Sequence, residues 1–151
     1  MTHFGLALFS FVLSLVSSAT TEIERAFRQN DPELLKPLLE SRSFLNVSFS
    51  SPVAFSDLLS DEQTVIWFRK FFRSYQTLGF YPEGPAWQSL GAGSFVFKAR
   101  WEVRTRDRRP IAFDVLFLIR GAPFRRDVRP GFAGDSRKGF WTILQIRAER
   151  R

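Results

Sequence analysis

At 151 residues the chain has room for one domain with a real hydrophobic core and little else. Its hydrophobic fraction of 44% and charged fraction of 25% exclude a wholly disordered chain. With no cysteine, disulfides, thiolate catalysis and Cys-ligated metals are excluded, and the one histidine, His3, lies in a segment read below as removable. The net charge of +7 is unevenly placed. Residues 20–97 carry 7 Lys+Arg against 9 Asp+Glu (net −2), and residues 98–151 carry 15 against 6 (net +9). Arginine suits bidentate contact with carboxylates and phosphates, so an acidic partner fits the basic half.

Phe4 to Val16 is an apolar run ending in Ser17-Ser18-Ala19. It has the length of a signal-peptide core and is short for a spanning helix, so residues 1–19 read as a signal peptide cut after Ala19. The leading Met-Thr-His lacks Lys and Arg, which keeps an uncleaved membrane anchor as the alternative. The expected location is secreted or periplasmic, with residues 20–151 as a single domain and no stable span after signal removal. Without cysteine there is no lipobox.

Thr21-Glu22-Ile23-Glu24 has the pattern of a capping box opening a helix, with Ile23, Ala26 and Phe27 on one face. Asn30-Asp31-Pro32 interrupts it, Asp31 serving as N-cap and Pro32 as first residue of a second helix carrying Leu34, Leu35, Leu38 and Leu39. Pro37 should kink or shorten that helix. Phe44 to Ser50 alternates as a strand, and Val53–Phe55 reads as a shorter one. Ser60-Asp61-Glu62-Gln63 is another capping box. Its helix buries Val65, Phe68, Phe72 and Tyr75, thickened by Ile66 and Phe71, and is expected to end near Leu78-Gly79 with Gly79 as C-cap. Phe80 to Leu90 reads as an edge strand broken by Pro82, Gly84 and Pro85.

Phe95 to Arg120 reads as a long hairpin. Phe95, Phe97, Ala99, Trp101 and Val103 alternate with charged residues, as do Ile111, Phe113, Val115, Phe117 and Ile119 on the return strand. The expected register sets Val103 against Phe113 and Trp101 against Val115, with Asp107-Arg108-Arg109 as the loop. A one-residue slip would bring charges onto the apolar face. Residues 121–139 form a Gly- and Arg-rich connection of a length that signals mobility or function. Phe140 to Ala148 is the closing strand, antiparallel to 111–120.

The chain reads as α+β, with N-terminal helices packed on a curved, mostly antiparallel sheet. Its order resembles the cone-shaped fold of the nuclear transport factor 2-like superfamily and small secreted bacterial domains of unknown function within it. The resemblance spans about residues 21–149. It rests on Ala26-Phe27 before Asn30-Asp31, Ser60-x-x-Gln63 leading to Phe71-Phe72, Phe80, and Ile143-Leu144-Gln145-Ile146-Arg147. The basic 121–139 loop and the Arg-rich strand 96–106 depart from it.

The resemblance implies that an enzyme of this kind would carry an Asp, with a His or Tyr, inside the cone, and that the sheet face is a frequent dimer surface. Here the apolar hairpin face carries no titratable residue, and Asp114, the one carboxylate of its second strand, falls on the other face by parity. No catalytic residue, metal or cofactor is therefore assigned, and Asp114 stands as the sole base candidate. Phe68, Phe72, Tyr75, Phe97, Trp101, Phe113 and Phe117 are the candidate lining of a pocket for a small hydrophobic ligand. Lys98, Arg100, Arg104, Arg125, Arg126 and Arg129 are the candidate anion-binding or interface residues, with Glu102, Leu116 and Leu118 beside them. The leading reading is an exported, non-catalytic domain acting by binding or by forming a homodimer through its sheet. The alternatives are an anion-binding module for an acidic partner or anionic surface, and an enzyme or carrier with an aromatic-lined cone. No nucleic-acid partner is expected.

Overall fold

The computed structural model describes residues 18–84, 88–89, 93–121 and 141–151. The expected signal peptide and the 121–139 connection, with Arg125, Arg126 and Arg129, lie almost wholly outside these residues. A helix over residues 18–28 (α1) opens the described chain. It buries Ala19, Ile23, Ala26 and Phe27 along one stripe. Because residues 18–20 are already helical, Thr21 sits inside the helix and is not its N-cap. The helix closes in a Schellman arrangement: Asn30 N–H donates to Phe27 O (3.3 Å), Asp31 N–H donates to Ala26 O (2.9 Å), and Asn30 takes a φ of 52°. Asp31 then caps a 3-10 helix, Pro32–Leu38, its carboxylate accepting from Glu33 N–H at 3.1 Å. Pro37 holds this piece to a short 3-10 turn, as expected.

Strands β1 (Phe44–Phe49) and β2 (Phe55–Ser60) form a hairpin in which Leu45, Val47 and Phe49 face inward. The second strand runs later than the expected Val53–Phe55, because Ser51 to Val53 make the turn, with a cis Ser51-Pro52 bond. Phe-Ser-Asp-Leu-Leu-Ser lacks alternation because β2 is an edge strand. Only Leu59 is buried, and Leu58 is 60% exposed. Ser60 ends β2 and caps α2 (Asp61–Ser74) through a complete capping box with Gln63. Thr64, Val65, Phe68, Phe71 and Phe72 form the buried stripe of α2, and Ile66 falls off it and is exposed.

The helix ends at Ser74, earlier than Gly79. Tyr75 is extended, and strand β3 (Tyr75–Pro82) begins there, because pairing with a hairpin strand outweighs the local helical pattern. Gly79 sits instead at a bulge in β3. Its bare Cα lets the Tyr81 ring lie across it: a Cβ would stand 2.6 Å from carbons of that ring, and the exposed tyrosine would have to swing aside. Pro82 ends β3, and β4 (Gln88–Ser89) adds a two-residue ladder to the next strand.

Strands β5 (Ser94–Thr105) and β6 (Pro110–Gly121) are the expected hairpin, shifted by two residues from the expected register. Trp101 faces Phe113, Val103 faces Ile111 and Phe97 faces Phe117. A two-residue shift keeps every apolar residue on its face, so apolar parity alone does not separate the registers. The charges do: the expected pairing would have set Glu102 against Asp114, whereas the structure sets Arg100 against Asp114 and Glu102 against Ala112. The loop is still three residues, Arg106-Asp107-Arg108, with Arg108 at a φ of 61°. Strand β7 (Trp141–Arg150) pairs antiparallel with β6, as expected, and parallel with β1, which the sequence did not indicate. The sheet order is β2-β1-β7-β6-β5-β3, with β4 beside β5.

Curved around α1 and α2, the sheet encloses a core of rings. Phe27 is fully buried, with ring centroids of Trp101 at 4.8 Å, Phe80 at 5.1 Å, Phe117 at 5.4 Å, Phe68 at 5.5 Å and Phe72 at 5.8 Å. Most of these contacts are edge-to-face, the geometry the ring quadrupole favours. Arg28 donates to Phe80 O (3.1 Å) and Asn30 Oδ1 accepts from Thr77 N–H (3.0 Å), fixing the end of α1 to β3.

Candidate functional site

The inside of the cone is occupied by protein. Of the seven candidate pocket residues, Phe68, Phe97, Trp101, Phe113 and Phe117 are at most 1% exposed and Phe72 is buried, while Tyr75 lies at the rim, stacked on Phe71 at 4.5 Å. Trp101 Nε1–H donates to Thr77 Oγ1 at 2.9 Å, which satisfies its one polar atom. The buried polar residues among those described are Thr20 and Thr64, so among the described residues no carboxylate is buried in the ring cluster, and the phenol at its edge is that of Tyr75. The three surface depressions described here are lined by other side chains.

The charged groups gather on the outer face, where strand pairing arranges them in rows. Val96, Leu118, Gln145, Asn46 and Leu58 make one row across β5, β6, β7, β1 and β2. Lys98, Leu116, Arg147, Ser48 and Ser56 make the next. Tyr81, Arg100, Asp114 and Glu149 make the third. Asp114 is thus on the outer face, as its parity indicated, with its side chain about half exposed (51%). Arg151 Nε–H donates to it at 2.7 Å and reaches Glu83 with Nη2 at 3.0 Å. Arg100 pairs with Glu102 at 3.0 Å and lies over the Tyr81 ring, 5.0 Å from its centroid. Arg147 pairs with Glu149. Each exposed pair contributes about 0–1 kcal/mol, so these pairs organise the surface more than they stabilise it. Lys98 has no carboxylate partner among the described residues.

Two depressions run along this face. One, of about 390 Å³, has Ala99, Val115 and Leu116 as its floor and Glu83, Lys98, Asp114 and Arg151 on its rim. The other, of about 370 Å³, is lined by Asn46, Ser48, Ser50, Ser56 and Gln145. Arg147 and Glu149, paired with each other, border both.

Of the candidate interface residues, Lys98 and Arg100 belong to this face and Arg104 lies at its hairpin end, hydrogen-bonded to Gln76 Oε1 at 3.1 Å. Glu83, Arg147 and Glu149 were missed by sequence reasoning. The signal for Arg147 and Glu149 was present, since Gln145, Arg147 and Glu149 share parity on the closing strand; Glu83 follows a proline beyond a strand end and gave none. Among the described residues no group of three or more His, Cys, Asp or Glu could hold a metal, and no helix is long and apolar enough to cross a membrane.

No family model matches the chain. No curated protein matches it in sequence. Solved structures do match. A ketosteroid isomerase-like protein from Erwinia carotovora atroseptica aligns with a TM-score of 0.64 at 12% identity, covering 91% of this chain and 95% of that one. A protein with a cystatin-like fold from Caulobacter vibrioides aligns with a TM-score of 0.60 at 12% identity, over 92% of this chain and 89% of that one. The fold is the cystatin-like α+β cone. A DUF4783 family protein from Bacteroides uniformis shares the cone at a TM-score of 0.62 and 13% identity, over 87% of this chain and 95% of that one. This is the cone-shaped α+β architecture that the order of helices and strands resembled. At these identities the likeness is one of fold.

Proposed function

We propose that this protein is a non-catalytic binding domain whose working surface is the outer face of the sheet, and that the occupant of that face is a second copy of the chain. The observation that carries this reading is the distribution of charge around Leu116. Lys98, Arg100 and Arg147 interleave with Glu102, Asp114 and Glu149 about the half-buried Leu116 and Leu118. A two-fold interface must be complementary to itself, which a face carrying both signs satisfies and a single-sign face does not. The free ammonium of Lys98 would find its carboxylate across the two-fold axis. The ring-filled cone supports the same reading, since a small hydrophobic guest would have to displace Phe27 or its neighbours. We propose further that the protein is exported by the apolar segment Phe4–Val16. A cut after Ala19 would fall within α1, so intact mass of the purified protein reports directly on it.

Analytical ultracentrifugation across a concentration series tests the association. The expected species has twice the protomer mass, and Leu116→Arg returns it to the protomer mass with unchanged circular dichroism. A protein that stays at protomer mass at the highest concentration, or whose association is indifferent to Leu116→Arg, refutes the reading. Lys98→Glu provides a second arm. It is expected to weaken association, and combining it with Glu149→Lys is expected to restore part of it.

A further inference from the structure

A second charged surface stands at the tip of the β5–β6 hairpin and differs in kind from the first. A depression of about 230 Å³ is lined by Arg73, Arg104, Arg106 and Arg108 with Ser74, Gln76 and Thr105. No carboxylate is among its lining residues. Elsewhere most of the described arginines are paired: Arg25, Arg28, Arg69, Arg100, Arg120, Arg147 and Arg151 each hold an Asp or Glu, and Arg42 and Arg150 hold none among the described residues. Among the described residues the four guanidinium groups at the tip hold none, and Asp107, between two of them in the loop, pairs with neither. The one side-chain partner of the set is neutral, the Gln76 amide oxygen accepting from Arg104.

Three elements impose this convergence of like charge. Tyr75 pairs with Thr105 and Gln76 with Arg104, which brings the last turn of α2, with Arg73 and Ser74, against the hairpin tip. The tip itself is tied. Arg108 N–H donates to Thr105 O (2.9 Å), Thr105 N–H to Arg109 O (3.0 Å), and Arg109 N–H to Thr105 Oγ1 (3.1 Å). Thr105 Oγ1 accepts in that bond, which leaves its own proton free to donate. Gathering four positive charges costs energy that bulk solvent only partly screens, and a bound anion would offset it.

We propose that this cluster is a binding site for a phosphate or sulfate monoester. Guanidinium forks present parallel N–H donors that match the oxygens of such a group; a phosphate monoester, close to doubly charged at neutral pH, can take two forks while accepting from the Ser74 and Thr105 hydroxyls, and a singly charged sulfate monoester is held less tightly. The lining holds no aromatic ring, so recognition is of the anionic head and not of a base or apolar body stacked beside it. The site is separate from the Leu116 face, and a strictly monomeric protein would leave it intact.

The test is isothermal titration calorimetry of the full chain with inorganic phosphate, inorganic sulfate and glucose 6-phosphate. Flotation with phosphatidic acid vesicles, against phosphatidylcholine vesicles, forms a parallel arm. Binding that weakens as sodium chloride is raised is expected in at least one arm, and Arg106→Gln and Arg108→Gln are each expected to lower affinity about tenfold. Both positions are exposed, so unchanged thermal stability is expected of both variants. Arg25→Gln, exposed on α1 and part of neither surface, should bind as wild type. Binding of glucose 6-phosphate assigns a free monoester, binding at vesicles alone assigns a lipid headgroup, and binding of inorganic phosphate or sulfate without either overturns the monoester assignment. No binding in any arm, or binding indifferent to Arg106→Gln and Arg108→Gln together, overturns the proposal.

Discussion

Phe27→Ala is the sharpest probe of whether the cone is a core or a container. The side chain is fully buried, and five aromatic rings lie within 4.8 to 5.8 Å of its centroid. Truncating a buried Phe to Ala costs about 3–5 kcal/mol when the surroundings collapse only partly. Rings from α2, β3, β5 and β6 meet at this position, which limits collapse, and edge-to-face pairs contribute about 0.5–1.5 kcal/mol each beyond area, without simple additivity. A loss of about 4 kcal/mol is expected. With a urea slope of about 2 kcal/mol/M, the midpoint should fall by about 2 M at unchanged slope. Phe27→Leu keeps most of the volume and should lose under about 1.5 kcal/mol. The apolar void left by Phe27→Ala should also admit benzene and recover part of the lost stability, whereas wild type should not respond. A loss below about 1.5 kcal/mol for Phe27→Ala, or benzene stabilising the wild type, would refute the filled cone.

Ser60→Ala should cost about 1 kcal/mol in denaturant midpoint and Ser60→Gly only a few tenths, because the cap bond to Gln63 N–H at 3.2 Å is lost while the bend is kept. Thr77→Val leaves the buried Trp101 Nε1–H without its acceptor and should cost about 1–3 kcal/mol, with part of the loss recovered when Trp101→Phe is added. Glu33 joins the 3-10 helix to α2 through Arg69, and the hydrogen bond from Lys36, aided by the charges of Lys36 and Arg69, holds its carboxyl below the ordinary 4.5. A depressed carboxyl stabilises the fold above its unfolded pKa and loses that contribution as pH falls through the folded value. The melting temperature of Glu33→Gln should therefore trail wild type at neutral pH and converge with it in acid. A gap that widens in acid would contradict this.

What could be read from the residues was what short-range physics decides. The Ser60 box, Asp31-Pro32 and the alternation of β5 and β6 each carry their instruction within a few positions, and each element formed. The errors came where distant partners decide. Tyr75 to Leu78 continue a helical pattern locally and become strand because β5 offers them a ladder and Trp101 an indole donor for Thr77. The hairpin register was ambiguous to apolar parity and was separable only by asking whether Glu102 should face Asp114. For the candidate surfaces, Lys98, Arg100 and Asp114 were legible as one face of a strand pair. Arg73 gave no sign of joining Arg104, Arg106 and Arg108, since the two stretches lie some thirty residues apart and meet only through the β3–β5 ladder.

The parallel pairing of β1 with β7 has a consequence for how the chain is made. Among the described residues the β1–β2 hairpin reaches the rest of the sheet only through β7, where Asn46 to Phe49 lie beside Gln145 to Ala148 and Arg150 N–H donates to Ser50 Oγ across an interval of 100 residues. During synthesis, that early hairpin must wait with Phe49 and Val47 uncovered by sheet until β7 has emerged. Closing so large a loop is entropically slow, and β7 completes the barrier between core and solvent. A nascent chain stalled before residue 141 should therefore be a chaperone client, and emergence of β7 should end that dependence in a single step.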